Sequence, residues 1–167
     1  MRPPSIEGTL RVVVPSREHR DLRRGAVTAE PQLLLALAAD LTAAATVRTR
    51  LAVWLTEQGW PPAHRDDLVL AVNEAVSNSI EHGYGLRPGT PGRPGVVEVA
   101  AEIMTTGGER RVEIAVRDRG TWRTPPRLRD HRRHGIPIMK VCAEDCVIDG
   151  TAYGTTVVLR SRPVPTC

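Results

Sequence analysis

Leu70-Ala71-Val72-Asn73-Glu74-Ala75-Val76-Ser77-Asn78-Ser79-Ile80-Glu81-His82-Gly83-Tyr84 is the stretch on which the reading of this chain turns. Leu68, Ala71, Val72, Ala75, Val76 and Ile80 recur at i, i+3, i+4 spacing, the apolar stripe of a helix with one face against a core. The spacing predicts a helix from about Ala63 to His82. Asp66 and Asp67 fall in its first turn, where the helix dipole favours acids, and Gly83 and Gly85 end it. Opposite the stripe lie Glu74, Asn78 and His82 at i, i+4, i+8, with Glu81 close to the same line. At about 3.6 residues per turn these side chains stack along one face. By itself that line reads in two ways. It is a solvated helix face, or it is a site: it carries no Lys or Arg, and a carboxylate beside an amide oxygen suits one hard cation and one activated hydroxyl.

Outward from this helix the chain divides into short elements. Thr42 to Gln58 reads as a preceding helix, with Val47, Leu51, Trp54 and Leu55 at helical spacing and Gly59-Trp60-Pro61-Pro62 as its stop. Before it, Leu33–Ala38 is a continuous apolar run whose length suits a strand and whose Leu/Ala content suits a helix. Leu86–Gly95, rich in Pro and Gly, is expected to be a loop. Val96–Met104 and Arg111–Arg117 flank Thr105-Thr106-Gly107-Gly108 and predict a β-hairpin. Residues 119–134 are polar and basic and read as a long loop. Gly135–Ala143 predicts a short helix with Pro137 in its first turn, and Cys146–Asp149 and Thr155–Ser161 two closing strands. Residues 1–30 are expected to be a peripheral extension, in which Leu10–Val14 is either an edge strand or disordered, and residues 31–167 the globular domain. Antiparallel strands with helices on one face make an α+β, two-layer plan with a mixed, mostly antiparallel sheet.

Composition narrows the function classes. The 167 residues are enough for one domain with a real core, but there is no Phe and aromatics are only 3%, so that core must be aliphatic. Base stacking on aromatic platforms is thereby disfavoured. Net charge is +4, and 22 of the 23 basic residues are Arg. The basic bias sits in residues 110–133, which hold nine Arg against three acids, whereas residues 31–109 hold five Arg against nine acids. A cationic loop of that kind suits an anionic ligand or an acidic partner better than a DNA groove. No apolar run is long enough for a transmembrane helix, and the first residues lack the apolar core of a signal peptide. With Cys142, Cys146 and Cys167 odd in number and lacking metal-type spacing, the expectation is a reducing cytoplasm with free thiols. Cys142 and Cys146, four apart, either share a helix face or are two small buried residues.

Three further segments change the weight of the polar helix line. Asp118-Arg119-Gly120 ends the hairpin, Gly135-Ile136-Pro137-Ile138-Met139 opens a helix after the long loop, and Gly154-Thr155-Thr156 starts the last strand. Alone, these read as a turn, a helix start and a hairpin turn. A helix N-terminus preceded by a loop is also a ready anion site. Together and in order, the four segments resemble the GHKL ATPase superfamily, and within it the stand-alone anti-sigma-factor and serine/threonine-kinase family of bacterial partner-switching systems. The stretch Leu70–Tyr84 is similar to that family's N-box, with a Glu, an Asn four on, and a His four further. Val116–Gly120 and Arg133–Met139 are similar to its two glycine boxes, and Gly154-Thr155 to its terminal Gly-Thr.

The resemblance covers about Leu33 to Arg162 and implies the Bergerat, or histidine-kinase-like ATPase, fold, with ATP and Mg²⁺ as cofactors. It implies Glu74 as general base, Asn78 as Mg²⁺ ligand, and His82 as a member of the pocket. It implies Asp118 as acceptor from the adenine amino group, Gly120 as the point of close passage to the base, Gly135 as backbone donor to phosphate and Thr155 at the adenine end. It also implies a serine/threonine kinase acting on a STAS-type anti-sigma-factor antagonist, a sigma factor as second partner, and a homodimer, with no direct nucleic-acid or membrane partner. Two departures stand out. Trp122 replaces the second Gly of the first glycine box, and Arg133 replaces the first Gly of the second, where it can instead make a charge-assisted phosphate contact. They motivate the alternative expectation of a partner-binding module with weak or no kinase activity.

Overall fold

The computed structural model describes residues 32–121 and 135–166. Leu10–Val14, Trp122, Arg133 and most of the long basic loop lie outside the described residues. The element order is β1 (Gln32–Ala38), α1 (Ala43–Glu57), α2 (Pro62–Asn78), β2 (Val96–Thr106), β3 (Glu109–Asp118), α3 (Gly135–Cys142), β4 (Asp145–Thr151), β5 (Gly154–Arg160) and β6 (Val164–Pro165). The ambiguous Leu33–Ala38 run is a strand. Its residues alternate strictly in exposure, so the pairing with β2 outweighs the helical preference of Leu and Ala. Between α1 and that strand, Asp40 Oδ1 accepts from the Thr42 and Ala43 amides and from the Thr42 hydroxyl, closing the open start of α1.

The strands form one sheet in the order β1-β2-β3-β5-β4, with β6 paired to the start of β3. Every pairing among the described residues is antiparallel. The β2–β3 turn is Gly107-Gly108, both at positive φ (61° and 81°), which gives a tight turn matching the twist of the strands. α2 lies between α1 and α3 and touches β3 and β5. The core between the layers holds Leu51 and Leu55 of α1, Leu68, Val72 and Val76 of α2, and Val97, Val99, Val112, Ile114 and Leu159 of the sheet, all essentially without exposure. Branched aliphatics thus do the work usually shared with Phe.

The opposite sheet face is patterned as well. Register places Leu34, Ala100, Ala115, Val158 and Val147 in one row across all five main strands. Leu34 at the edge is 72% exposed and the others are half-buried. The adjacent row runs Gln32, Glu102, Glu113, Arg160 and Asp145, where Arg160 bridges both neighbouring carboxylates. Its hydrogen bond to Glu113 holds the guanidinium above its ordinary pKa.

Ser161 closes the β3–β5 ladder in an unusual way. It is buried, its backbone N–H donates to Val112 O, and its Oγ accepts from Val112 N at 2.9 Å. We expect Ser161→Ala to cost about 1–3 kcal/mol, because it strands a buried donor, and Leu51→Ala about 2–5 kcal/mol through the cavity it leaves. Chemical denaturation measures both. Asp40 carries a pH signature. Its hydrogen bonds with Thr42 lower its carboxyl pKa below the ordinary 3.8, so its stabilisation is complete at neutral pH and is lost as pH falls through the lowered value. The melting-temperature gap between wild type and Asp40→Ala should therefore narrow in acid.

Candidate functional site

The expected helix does not run unbroken to His82. α2 ends at Asn78, and Ser79–Gly83 forms a π-helical turn, closed by Tyr84 N–H to Ser79 O at 3.0 Å. Glu74 and Asn78 are half-buried, whereas His82, inside the π turn, is exposed. The physical gain lies at Gly83. A Cβ there would meet Asp118 Oδ1 at 3.1 Å, and a Cβ on Gly120 would meet the Gly83 backbone at 2.4 Å. The turn delivers a side-chain-free residue to the end of β3, a common use of local π geometry near functional sites.

At one end of the site stand Glu74 and Asn78. The start of α3 comes directly to them. A Cβ on Gly135 would lie 3.0 Å from Asn78 Nδ2 and 3.2 Å from Glu74 Oε2. A carboxylate, an amide and the open N–H groups of a helix start thus share one small space. The carboxylate and the amide oxygen suit a divalent cation that keeps most of its ligands from water and phosphate, and the N–H groups suit the anion such a cation accompanies. The described residues contain no cluster of three or more His, Cys, Asp or Glu that could cage a metal by themselves.

At the other end stand Asp118 and Thr155. Asp118 is 6% exposed and Thr155 7%, and they face each other in the β3–β5 register. Gly120 N–H donates to Asp118 Oδ1 at 2.9 Å, turning the chain sharply at the strand end. Gly154 packs on the Asp118 carbonyl so closely that a Cβ would lie 2.2 Å from it. Glu74, Asn78 and Gly135 are thus together, as are Asp118, Gly120 and Thr155, with Gly83 linking the second group to the end of α2. Arg133 lies outside the described residues.

Residues 37–161 match the family model of the histidine kinase-like ATPase domain. The chain belongs to that family. Among solved structures, the crystal structure of the RsbU and RsbW domains of Rv1364c from Mycobacterium tuberculosis is similar, at 32% identity and a TM-score of 0.61. The match covers 81% of this chain and 34% of the mycobacterial one, so this ATPase-family chain spans about a third of that larger protein. Its two-layer α+β architecture, with the antiparallel sheet covered on one face, agrees with the Bergerat fold expected from the motifs.

Several parts of the site went unread in the sequence. Tyr84 and Arg93 brace the Asp118–Thr121 turn, Gly95 makes room for the Tyr84 ring, and Gly83 for Asp118. The only signal for Gly95 is its place in a Pro- and Gly-rich loop. The cysteines also differ from expectation. Cys142 ends α3 while Cys146 sits in β4, so they share no helix face, and both are half-buried rather than buried. Burial pushes both thiols up. No described helix is long and apolar enough to cross a membrane.

The glycine contacts predict graded effects. Gly120→Ala forces backbone apart and is expected to cost about 1–3 kcal/mol or more. Gly59→Ala meets no atom within 4 Å, and at φ +67° carries only conformational strain, about 1–2 kcal/mol. Only the first should also disturb the amide NMR resonances of Gly83 and Thr121.

Proposed function

We propose that the chain is an ATP-binding kinase of a partner-switching system. It phosphorylates a serine or threonine of a STAS-type anti-sigma-factor antagonist and binds a sigma factor when that antagonist is unavailable. One observation carries the reading: Glu74, Asn78 and the N-terminus of α3 converge within contact distance. Family membership and the likeness to the mycobacterial RsbU and RsbW domains support it.

In this reading Asp118 accepts from the adenine amino group, Thr155 lies behind the base, and Gly120 lets the chain pass beside it. His82 is assigned to the rim of the pocket. The α3 amides beginning at Gly135 donate to phosphate oxygens, and Arg133 adds a charge-assisted contact. Asn78 holds Mg²⁺, which when bound offsets charge on the phosphates. Glu74 takes the proton of the substrate hydroxyl as its oxygen bonds to the γ-phosphorus and the bond to the ADP oxygen breaks. Such transfer depends mainly on positioning and electrostatics, which two residues one turn apart on a core-anchored helix supply.

We expect Glu74→Gln to lower phosphotransfer from labelled ATP by about 10²–10⁴-fold, with ATP affinity little changed. Asn78→Ala should remove the Mg²⁺ dependence of ATP binding in calorimetry. Transfer to no candidate antagonist, with Glu74→Ala behaving like wild type, overturns the kinase reading. Trp122 and Arg133, standing where the family has glycines, favour a second reading: a partner-binding module with weak catalysis. Tight ATP binding that Asn78→Ala abolishes counts against it.

The homodimer belongs to the same proposal, and the apolar row from Leu34 to Val147 on the open sheet face supports it. Light scattering should give a dimer mass, and Ala115→Arg, placing a charge in the middle of that row, should lower it toward the monomer.

A further inference from the structure

The loop between Gly83 and Val96 is fastened to the end of β3 by two side chains. Tyr84 is 5% exposed. Its hydroxyl donates to Val96 O at 2.7 Å and accepts from Arg119 N–H at 3.0 Å. Gly95 lies against its ring, where a Cβ would be 2.0 Å from a ring carbon. Arg93 is the second fastening. Its Nη2 donates to Gly83 O at 2.9 Å and to Thr121 Oγ1 at 3.0 Å, and its backbone N–H donates to Tyr84 O at 2.8 Å. Gly83 O also accepts from Thr121 N–H.

Arg119 and Thr121 flank Gly120, and Asp118 begins the same turn. The two side chains therefore grip the turn at two points from a loop more than 20 residues earlier in the chain. Removing either grip leaves the backbone contacts of the turn in place but takes a side-chain hydrogen bond from it. Hydrogen-bond selection of a base depends on the distance and angle at which its partner is held.

We infer that Tyr84 and Arg93 are positioning residues, which hold the Asp118–Thr121 turn and through it set discrimination between nucleotide bases. The base-selecting part rests on the nucleotide reading above. Adenine offers an amino group to the Asp118 carboxylate, whereas guanine presents a carbonyl at that position, so a fixed carboxylate favours adenine.

The test uses the full chain with Tyr84→Phe, Arg93→Ala and Arg93→Lys. Hydrogen exchange of the Thr121 amide should rise about tenfold in Tyr84→Phe and Arg93→Ala, with the Ala115 amide unchanged. Arg93→Lys should restore part of the protection. ATP affinity should fall about 5–10-fold in the first two, while Mg²⁺-tripolyphosphate affinity stays within about twofold, so the ATP-over-GTP preference narrows. Unchanged Thr121 exchange overturns the proposal. So does raised exchange with unaltered base preference, or an equal loss for ATP and tripolyphosphate. Wild-type protein that binds no ATP overturns the nucleotide reading and the base-selecting part with it. The exchange comparison then still decides whether the two side chains hold the turn.

Discussion

Gly120 rests on the backbone of Gly83 with no space for a side chain between them, and the rest of the site follows from that contact. It brings the end of α2 against the end of β3. Gly154 makes the equivalent contact on the Asp118 carbonyl and brings in the start of β5. Three segments far apart in sequence thus meet backbone to backbone. Side chains at such a junction would relax and repack. Backbone meeting backbone leaves little freedom, so the placements of Asp118 and Thr155 follow from chain geometry more than from packing of their own side chains.

The same economy appears in α2. One face, with Leu68, Val72 and Val76, is sealed in the core, and the face with Glu74 and Asn78 stands at the site. Any tilt of the helix that moved the polar pair would also expose the stripe. At about 25 cal/mol per Å² of apolar surface, that coupling resists displacement over the whole helix length. A constellation on such an element is held more firmly than one on a loop. The π turn then ends the helix without a long connection and leaves His82 exposed.

Much of this was readable in the residues. The stripe of α2, the stop at Gly59–Pro62 and the Gly107-Gly108 hairpin are local signals, and local structure obeys them. Leu33–Ala38 was ambiguous because Leu and Ala favour helix while the run is of strand length. Only the pairing with β2 decides it. The π turn was invisible because a helical wheel assumes a constant pitch, and nothing in Ser79–Gly83 announces a change. Tyr84 and Arg93 were missed for a different reason. Their partners are mostly backbone groups of other segments, and backbone acceptors carry no sequence signal. The apolar row on the open face needed the register of all five strands, a non-local fact.

The charge pattern is the clearest case of a correct count with a divided meaning. The nine Arg of residues 110–133 look like one cationic patch. Arg110 stacks over Trp60, with 5.3 Å to the ring centroid, and donates to Gln58 O. Arg111 pairs with Glu144. Both sit at the start of β3, and at about 3.3 Å per residue they lie roughly 25 Å along the strand from Asp118. They fasten the α1–α2 connection and the entry to β4, and their charge contributes little to a field at the site once screened over more than two Debye lengths. Arg119 follows Asp118 directly in the turn, whereas Arg117 alternates with it and lies on the open sheet face with Glu113 and Ala115. Arg110, Arg111 and Arg117 therefore act elsewhere than at the Asp118 carboxylate, and the sequence total overstates the charge there.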